Sequence, residues 1–283
     1  MIDYCDKLTG VFGHPVSENP GVVIMDAAYA SIGAKNWRFL TIDVDRRDLG
    51  GAIGSIRILG MRGINLTIPH KVEAMKYLDE ITEEAGLIGA VNTIVNENGK
   101  LIGYNTDGTG FLMSLADDGI DPAGKRFVML GTGGVARAMG TELCLAGAAE
   151  LLLIGIDMKQ AEELSGRLGK ISECKVSCVM CEAGMRIPSG TDVLVNATPI
   201  GLYPDVKKCP DIDYASIPLS AFVQDVIPNP ITTEFIKRVR AQGNRYGTGM
   251  TMMINQAAIN TKLWTGIMPD KEAMKKVYEM EID

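Results

Sequence analysis

Apolar residues fall in short runs punctuated by glycine, proline and asparagine, and the runs switch between two periods. YCDKLTGVFG (4–13) reads as a strand closing on glycine. Residues 21–33 carry apolar and small side chains at helical spacing, and 36–44 (NWRFLTIDV) alternate like a strand. A helix is expected around 46–59, ending at Gly60. RGINLTIPHK is a strand halted by Pro69. Helices are expected at about 70–78 and 80–87. GAVNTIVNENGKLIGYN reads as a hairpin turning through Asn96-Glu97-Asn98-Gly99.

After Asp107 the rhythm changes. A helix at 108–117 links to RFVMLG (126–131), a fully apolar strand of the kind buried on both faces of a parallel sheet. ELLLIGID, CKVSCVMC, DVLVNATP, AFVQDVIP and NRYGTG continue the alternation of strand and helix. This predicts an α/β protein with a doubly wound second domain. The expected division is a first domain over 1–107, completed by helices at about 250–283, and a dinucleotide-binding domain over 108–249.

The length of 283 residues suits two domains with ample cores. With 28 basic and 35 acidic residues the net charge is −7, and no basic run interleaves with aromatics, so a nucleic-acid partner is not expected. The longest strongly apolar stretch, Leu151 to Ile156, is too short to span a bilayer, and no leader pattern opens the chain. A cytoplasmic monomer or homodimer acting on a small molecule is the expectation. Cys174, Cys178 and Cys181 have a spacing that some iron–sulfur proteins use, yet KVSCVMC reads as a strand. On a strand the first two share one face and the third points to the other, so packed free thiols are expected. Neither His14 nor His70 has a partner at metal-ligand spacing, and no metal site is expected.

Gly131-Thr132-Gly133-Gly134-Val135-Ala136 follows a strand and opens a helix. Gly131 permits the tight turn, Gly133 lets backbone approach a pyrophosphate, and Ala136 allows close helix–strand packing. Gly134 and Val135 carry the first N–H groups of the helix, where a phosphate binds. A glycine-rich turn without ligand has the same outline. Asp157, after the second strand, can accept the adenosine ribose hydroxyls and repel a 2′-phosphate, which predicts NAD over NADP. It can equally serve as the N-cap of the following helix. Two polar clusters lie at expected strand ends of the first domain: Asn65 to Lys71, and Asn92-Thr93 with Tyr104 to Gly108. Lys71 beside Asp107 would form an acid–base unit in which lysine moves a proton and carboxylate orients it. A solvated lysine at a helix start is the alternative.

These blocks resemble the shikimate/quinate dehydrogenase family nearly end to end. GVFGHPVS, NLTIPHK, IGAVNTI, GYNTDGTGF, GTGGVARA, NATPIG and GMTMMINQAAINTKLWTG each match a family block in order. The resemblance implies an N-terminal substrate domain, a Rossmann domain, and reversible NAD(P)-linked oxidation of a ring hydroxyl of shikimate, quinate or a related cyclic hydroxy acid. It implies catalytic roles for Lys71 and Asp107 and substrate contacts from Thr67, Asn92 and Gln256. It extends the cofactor-facing set to Thr198 and Gly249.

Three departures stand against the matches. The family's first loop, P-V-S-H-S-L-S-P, offers two serine hydroxyls to the substrate carboxylate, and ungapped alignment puts Asn19 and Gly21 there. Two lost hydrogen bonds to a carboxylate, at about 1.5–3 kcal/mol each, would cost several powers of ten in affinity. Asn19 can replace one donor. Pro228 stands where the family has a tyrosine, and Asp26 replaces a usual asparagine, which is expected to add negative charge near the site. Where NADP-using members tend to carry N-R-T, this chain has Gly155-Ile156-Asp157. Competing readings are a dehydrogenase of a non-shikimate polyol and a non-catalytic dinucleotide-binding regulator. Retention of Lys71, Asp107, Asn92 and Gln256 weighs against the second. A methylene-tetrahydrofolate dehydrogenase-like protein is disfavoured by NLTIPHK and YNTDG.

Overall fold

The computed structural model describes residues 5–17 and 19–282. Two compact units emerge. The first comprises the described residues through Asp107 together with Ile254–Glu281, and the second is Gly108–Met253.

The first unit contains β1 (Lys7–Gly13), α1 (Gly21–Ser31), β2 (Trp37–Asp43), α2 (Leu49–Ile58), β3 (Gly63–Leu66), β4 (Glu80–Ile81), α3 (Glu83–Ile88), β5 (Thr93–Glu97) and β6 (Lys100–Tyr104). They form one sheet in the order β2-β1-β3-β5-β6-β4. β1 runs parallel to β2 and β3, whereas β5 runs antiparallel to both β3 and β6. The reversal has a functional consequence. It sets the start of β5 beside the end of β3, with Asn65 opposite Thr93, and brings the end of β6 back to the same edge, with Tyr104 also opposite Thr93. The loops after β1, β3 and β6 and the approach to β5 therefore gather at one edge. Phe12, Leu49, Ile53, Ile56, Ile64, Leu66, Ile94 and Leu101 fill a core of this unit.

The second unit contains α4 (Asp107–Asp117, its first residue belonging to the first unit), β7 (Arg126–Leu130), α5 (Gly134–Leu145), β8 (Glu150–Gly155), α6 (Met158–Leu168), β9 (Lys175–Met180), β10 (Met185–Arg186), β11 (Val193–Asn196), β12 (Ile212–Asp213), β13 (Phe222–Asp225), α7 (Glu234–Gln242) and β14 (Tyr246–Gly247). Its main sheet is parallel throughout, in the order β14-β13-β11-β7-β8-β9, and β10 pairs with β12 apart from it. Alternate residues of β7 serve opposite cores. Phe127 and Met129 pack into one cluster, and Val128 and Leu130 into another. This is the doubly wound architecture that the apolar strands predict. The cysteines obey the same alternation: Cys174 and Cys178 pack with Leu151 and Leu153, and Cys181 packs on the other face with Ile154.

Two helices complete the chain, α8 (Gly249–Thr265) and α9 (Lys271–Ile282). From Ile254 onward α8 belongs to the first unit, where the Trp264 indole N–H donates to the Ile94 carbonyl at 3.0 Å. No helix among the described residues is long and apolar enough to cross a membrane.

Three local expectations differ from the structure. Residues 70–78 do not form an α-helix; only a short 3-10 segment, Glu73–Tyr77, appears before the backbone extends at Leu78. Residues 80–81 pair with Ile102 and Gly103 as β4, so α3 starts only at Glu83, capped by the Thr82 hydroxyl accepting from the Ala85 N–H. The hairpin turn is confined to Asn98-Gly99, whose φ values of 54° and 96° fit a two-residue mirror-image turn. Asn96 and Glu97 remain in the strand.

Candidate active site

The polar edge of the first sheet is organised around one carboxylate. Asp107 opens α4, and its side chain is only 6% exposed. Lys71, in the loop after β3, donates from Nζ to Asp107 Oδ2 at 2.7 Å and is 23% exposed, so the lysine is the member of the pair open to a ligand. Asp107 Oδ1 accepts from Asn92 Nδ2 at 2.9 Å and from Gln256 Nε2 on α8. Three donors from three segments thus converge on one buried carboxylate. A buried anion of this kind persists only when paired and hydrogen-bonded.

A second layer fixes Asn92. Its Oδ1 accepts the Thr106 backbone N–H at 2.8 Å, and its Nδ2 also donates to Thr106 Oγ1 at 3.1 Å. Asn260, one helical turn beyond Gln256 and on the same face of α8, places Oδ1 within 2.9 Å of the Thr93 hydroxyl and 3.0 Å of the Thr106 hydroxyl. Asn65 Nδ2 donates to Thr93 Oγ1 at 3.0 Å. The loop carrying Lys71 is anchored by His70, fully buried, whose Nε2 lies 2.8 Å from the Val44 carbonyl. Val44 accepts, so Nε2 carries the proton. Thr67 is half-buried in the same loop, its N–H donating to Phe12 O and its carbonyl accepting from His70 N–H.

Lys71, Asp107, Asn92 and Gln256 therefore meet, as the pairing of Lys71 with Asp107 anticipated. Asn92 spends both ends of its amide on Asp107 and the Thr93–Thr106 pair. Asn260 is absent from the sequence-based set. Its visible signal was a polar residue four places after Gln256 inside an apolar helix.

The first loop differs from what the alignment allowed. Asn19 Oδ1 accepts the Gly21 backbone N–H at 2.8 Å. That bond consumes the one donor glycine possesses. Asp26 is exposed on α1, and burial raises its carboxyl pKa while Arg38, at the start of β2, pulls it down. Its charged neighbour is Arg38, at the start of β2.

In the second unit the glycine loop lies at the C-terminal end of β7. Gly131 has φ of +103°, and a Cβ there would press on the Ala197 carbonyl at 2.9 Å and on Thr198 Cγ2 at 3.1 Å. Thr198 is held beside it, its N–H and hydroxyl both bonded to Asn196 Oδ1. Gly133 is the extended N-cap of α5, and a Cβ at Gly133 or Gly134 would meet nothing within 4 Å. Exposed glycines over a helix N-terminus with no acid in its first turn form an open cradle that fits a pyrophosphate. Ala136 is fully buried under the helix, and Val135 packs at the rim of the same core. The start of α8 at Gly249 presses on the backbone of Ile227 in the same unit, an approach only glycine allows. Asp157 caps α6, its Oδ1 accepting from Gln160 N–H at 3.1 Å. Ile156, where NADP-using family members tend to carry arginine, is 88% exposed.

Comparison with known proteins agrees with this geometry. Residues 11–94 match a model described as the shikimate dehydrogenase substrate binding domain, and 249–277 match the shikimate 5′-dehydrogenase C-terminal domain. A shikimate dehydrogenase (NADP(+)) of Methanococcus maripaludis strain C6 is 37% identical over 286 residues, covering all of both chains. A ligand-free 5-ketofructose reductase from Gluconobacter sp. strain CHM43 superposes with a TM-score of 0.93 at 38% identity, covering 99% of this chain and all of that one. A shikimate dehydrogenase in complex with NADP+ superposes with a TM-score of 0.92 at 36% identity, covering all of this chain and 98% of the other. The two shikimate dehydrogenases are described with NADP+, against the NAD preference expected from Asp157. With full-length identity at this level, the chain belongs to the shikimate dehydrogenase family of NAD(P)-dependent oxidoreductases.

Proposed function

We propose that the protein interconverts a secondary alcohol of a polyhydroxylated small molecule and the corresponding ketone, using a nicotinamide dinucleotide. Shikimate dehydrogenase and 5-ketofructose reductase, the relatives above, share that chemistry. The observation that carries the reading is the 2.7 Å Lys71–Asp107 pair with the lysine as its open member.

A nicotinamide dinucleotide held by the glycine loop would supply or accept the hydride. Gly131, Gly133, Gly134 and the N-terminus of α5 would hold its pyrophosphate, with Val135, Ala136, Thr198 and Gly249 shaping the surround. In reduction, the Lys71 ammonium donates a proton to the carbonyl oxygen as that carbon gains hydride. In oxidation, the neutral Lys71 amine takes the hydroxyl proton as hydride leaves the same carbon. Asp107 orients the lysine in both directions and compensates its charge. Gln256 and Asn92 keep the carboxylate aimed. Thr67 and Asn19 bind substrate hydroxyls.

NADP(H) is the dinucleotide for which the relatives are named, and we assign it here with NADH accepted in its place. The support for that tolerance is Ile156, which gives a 2′-phosphate no guanidinium. The test is absorbance at 340 nm with NADPH and NADH over a panel of hydroxylated ketones that includes 3-dehydroshikimate. Turnover with kcat/KM for the two dinucleotides within about tenfold is expected, since one charged hydrogen bond is worth about that factor. Absence of turnover with every pair would refute the reading.

A further inference from the structure

The loop between β1 and α1 differs from the family pattern in a way that bears on the substrate itself. It reads His14-Pro15-Val16-Ser17-Glu18-Asn19-Pro20-Gly21. Asn19 and Gly21 stand where the family pattern places two serine hydroxyls. The structure shows that the replacement is not a vacant version of the same pocket. Asn19 Oδ1 faces the Gly21 N–H and accepts it at 2.8 Å. Gly21 has no side-chain donor, and its backbone donor is spent within the loop. The acceptor end of Asn19 is spent on the same bond, which leaves Nδ2 pointing the other way. A carboxylate would meet only neutral donors here, the Asn19 amide and the exposed Ser17 hydroxyl, and the loop's sequence adds an acid, Glu18, and no Lys or Arg.

The steric record agrees. A Cβ on Gly21 would lie 2.7 Å from Asn19 Oδ1 and 3.3 Å from Phe39 Cε1. A side chain at 21 would push the Asn19 amide off its bond to the Gly21 N–H, so the two departures are coupled. Lys71, the cation of the polar edge, is paired with Asp107 and serves the reacting oxygen. The remaining groups there, Thr67, Asn65 and Asn19, are hydroxyl and amide functions, which suit alcohol groups that both donate and accept.

We propose that the substrate of this enzyme carries no carboxylate: it is an uncharged polyhydroxy ketone, reduced to the polyol. This rests on the oxidoreductase reading above and narrows it to a substrate class. Asn19 and Gly21 are the residues that set the specificity.

The test compares matched charged and neutral compounds. Shikimate and methyl shikimate share every ring hydroxyl and differ in the charge of one group. A carboxylate-binding loop makes the ester poorer by about a hundredfold or more in kcat/KM, because each charged hydrogen bond lost is worth about one to two powers of ten. For this protein the ester is expected to match or exceed the acid, and neutral polyhydroxy ketones such as 5-ketofructose to exceed 3-dehydroshikimate by at least a hundredfold. The double variant Asn19→Ser/Gly21→Ser supplies both hydroxyls and removes the Asn19 amide that a lone side chain at 21 would have to displace. It should lower KM for 3-dehydroshikimate tenfold or more and shift the acid-to-ester ratio of kcat/KM toward the acid by at least the same factor. A wild-type preference for shikimate over its ester by a hundredfold would overturn the proposal while leaving the oxidoreductase reading intact. No turnover of any compound with either dinucleotide would overturn both. The wild-type comparison stands whether or not the double variant folds.

Discussion

Replacing Asn92 with alanine separates positioning from binding. The side chain is 2% exposed, and two of its bonds satisfy buried partners directly. Its Nδ2 gives Asp107 Oδ1 a charge-assisted hydrogen bond at 2.9 Å, and its Oδ1 satisfies the Thr106 backbone N–H at 2.8 Å. A hydrogen bond to a buried charge contributes about 1.5–3 kcal/mol, and an orphaned buried N–H costs about 1–3 kcal/mol. The variant should therefore lose about 3–5 kcal/mol of stability, read as a lowered urea midpoint. Catalysis should fall as well, because a carboxylate displaced by about 1 Å costs on the order of a hundredfold. The loss should appear in kcat, since Asn92 is committed to Asp107 and Thr106. Gln256, a second donor to Asp107, keeps the loss below that of deleting the pair itself. Steady-state kinetics with NADPH, run on protein shown to be folded by circular dichroism, gives the split. A tenfold rise in KM at unchanged kcat would make Asn92 a substrate ligand and refute this reasoning.

Further outcomes follow from other parts of the molecule. Gly63→Ala should destabilise the first unit by about 2–4 kcal/mol, because a Cβ there would collide with the Trp264 indole and the Ile94 carbonyl; tryptophan fluorescence during unfolding checks it. Ile156→Arg, at an exposed position, should raise the NADPH/NADH ratio of kcat/KM at least tenfold, and an unchanged ratio would remove 156 from the cofactor site. His14 should titrate above 6.5 by NMR, because its hydrogen bond and charge interaction with Asp43 favour the imidazolium, and Asp43→Asn should abolish the rise. The stability this pair contributes is complete below pH 6.5 and disappears as pH rises through the elevated pKa of His14.

Elements with long, consistent patterns were legible in the chain. The apolar strand before Gly131 and the Asn98-Gly99 hairpin are where the residues predict, because burial on both faces and a positive-φ turn leave direct marks on sequence. The segment from 70 to 82 was not. Glu80-Ile81 is a strand only because β6 is beside it, and two residues carry no period. Asn96 read as a turn residue, yet it is buried in β5, where Nδ2 donates to the Met61 carbonyl and Oδ1 accepts the Gly99 N–H. For the site, Lys71 and Asp107 were visible through their blocks, but the convergence of Asn92 and Gln256 on Asp107, and the part of Asn260, depend on α8 reaching the first sheet. The Asn19–Gly21 bond was likewise hidden. The alignment showed two missing hydroxyls, and only the structure shows that Asn19 Oδ1 is taken by the Gly21 N–H. Asp157 carried two readings, ribose acceptor and helix N-cap, and the structure shows the cap, made through Oδ1.

The central claim is that Lys71 moves the proton while Asp107 holds it in place. It is tested most directly by kcat for Lys71→Ala with NADPH and the preferred ketone, on protein whose circular dichroism and dinucleotide affinity match wild type. Proton transfer by a positioned side chain contributes about 10²–10⁴-fold, so kcat should fall by at least a hundredfold while dinucleotide affinity holds. A kcat within threefold of wild type would contradict the account.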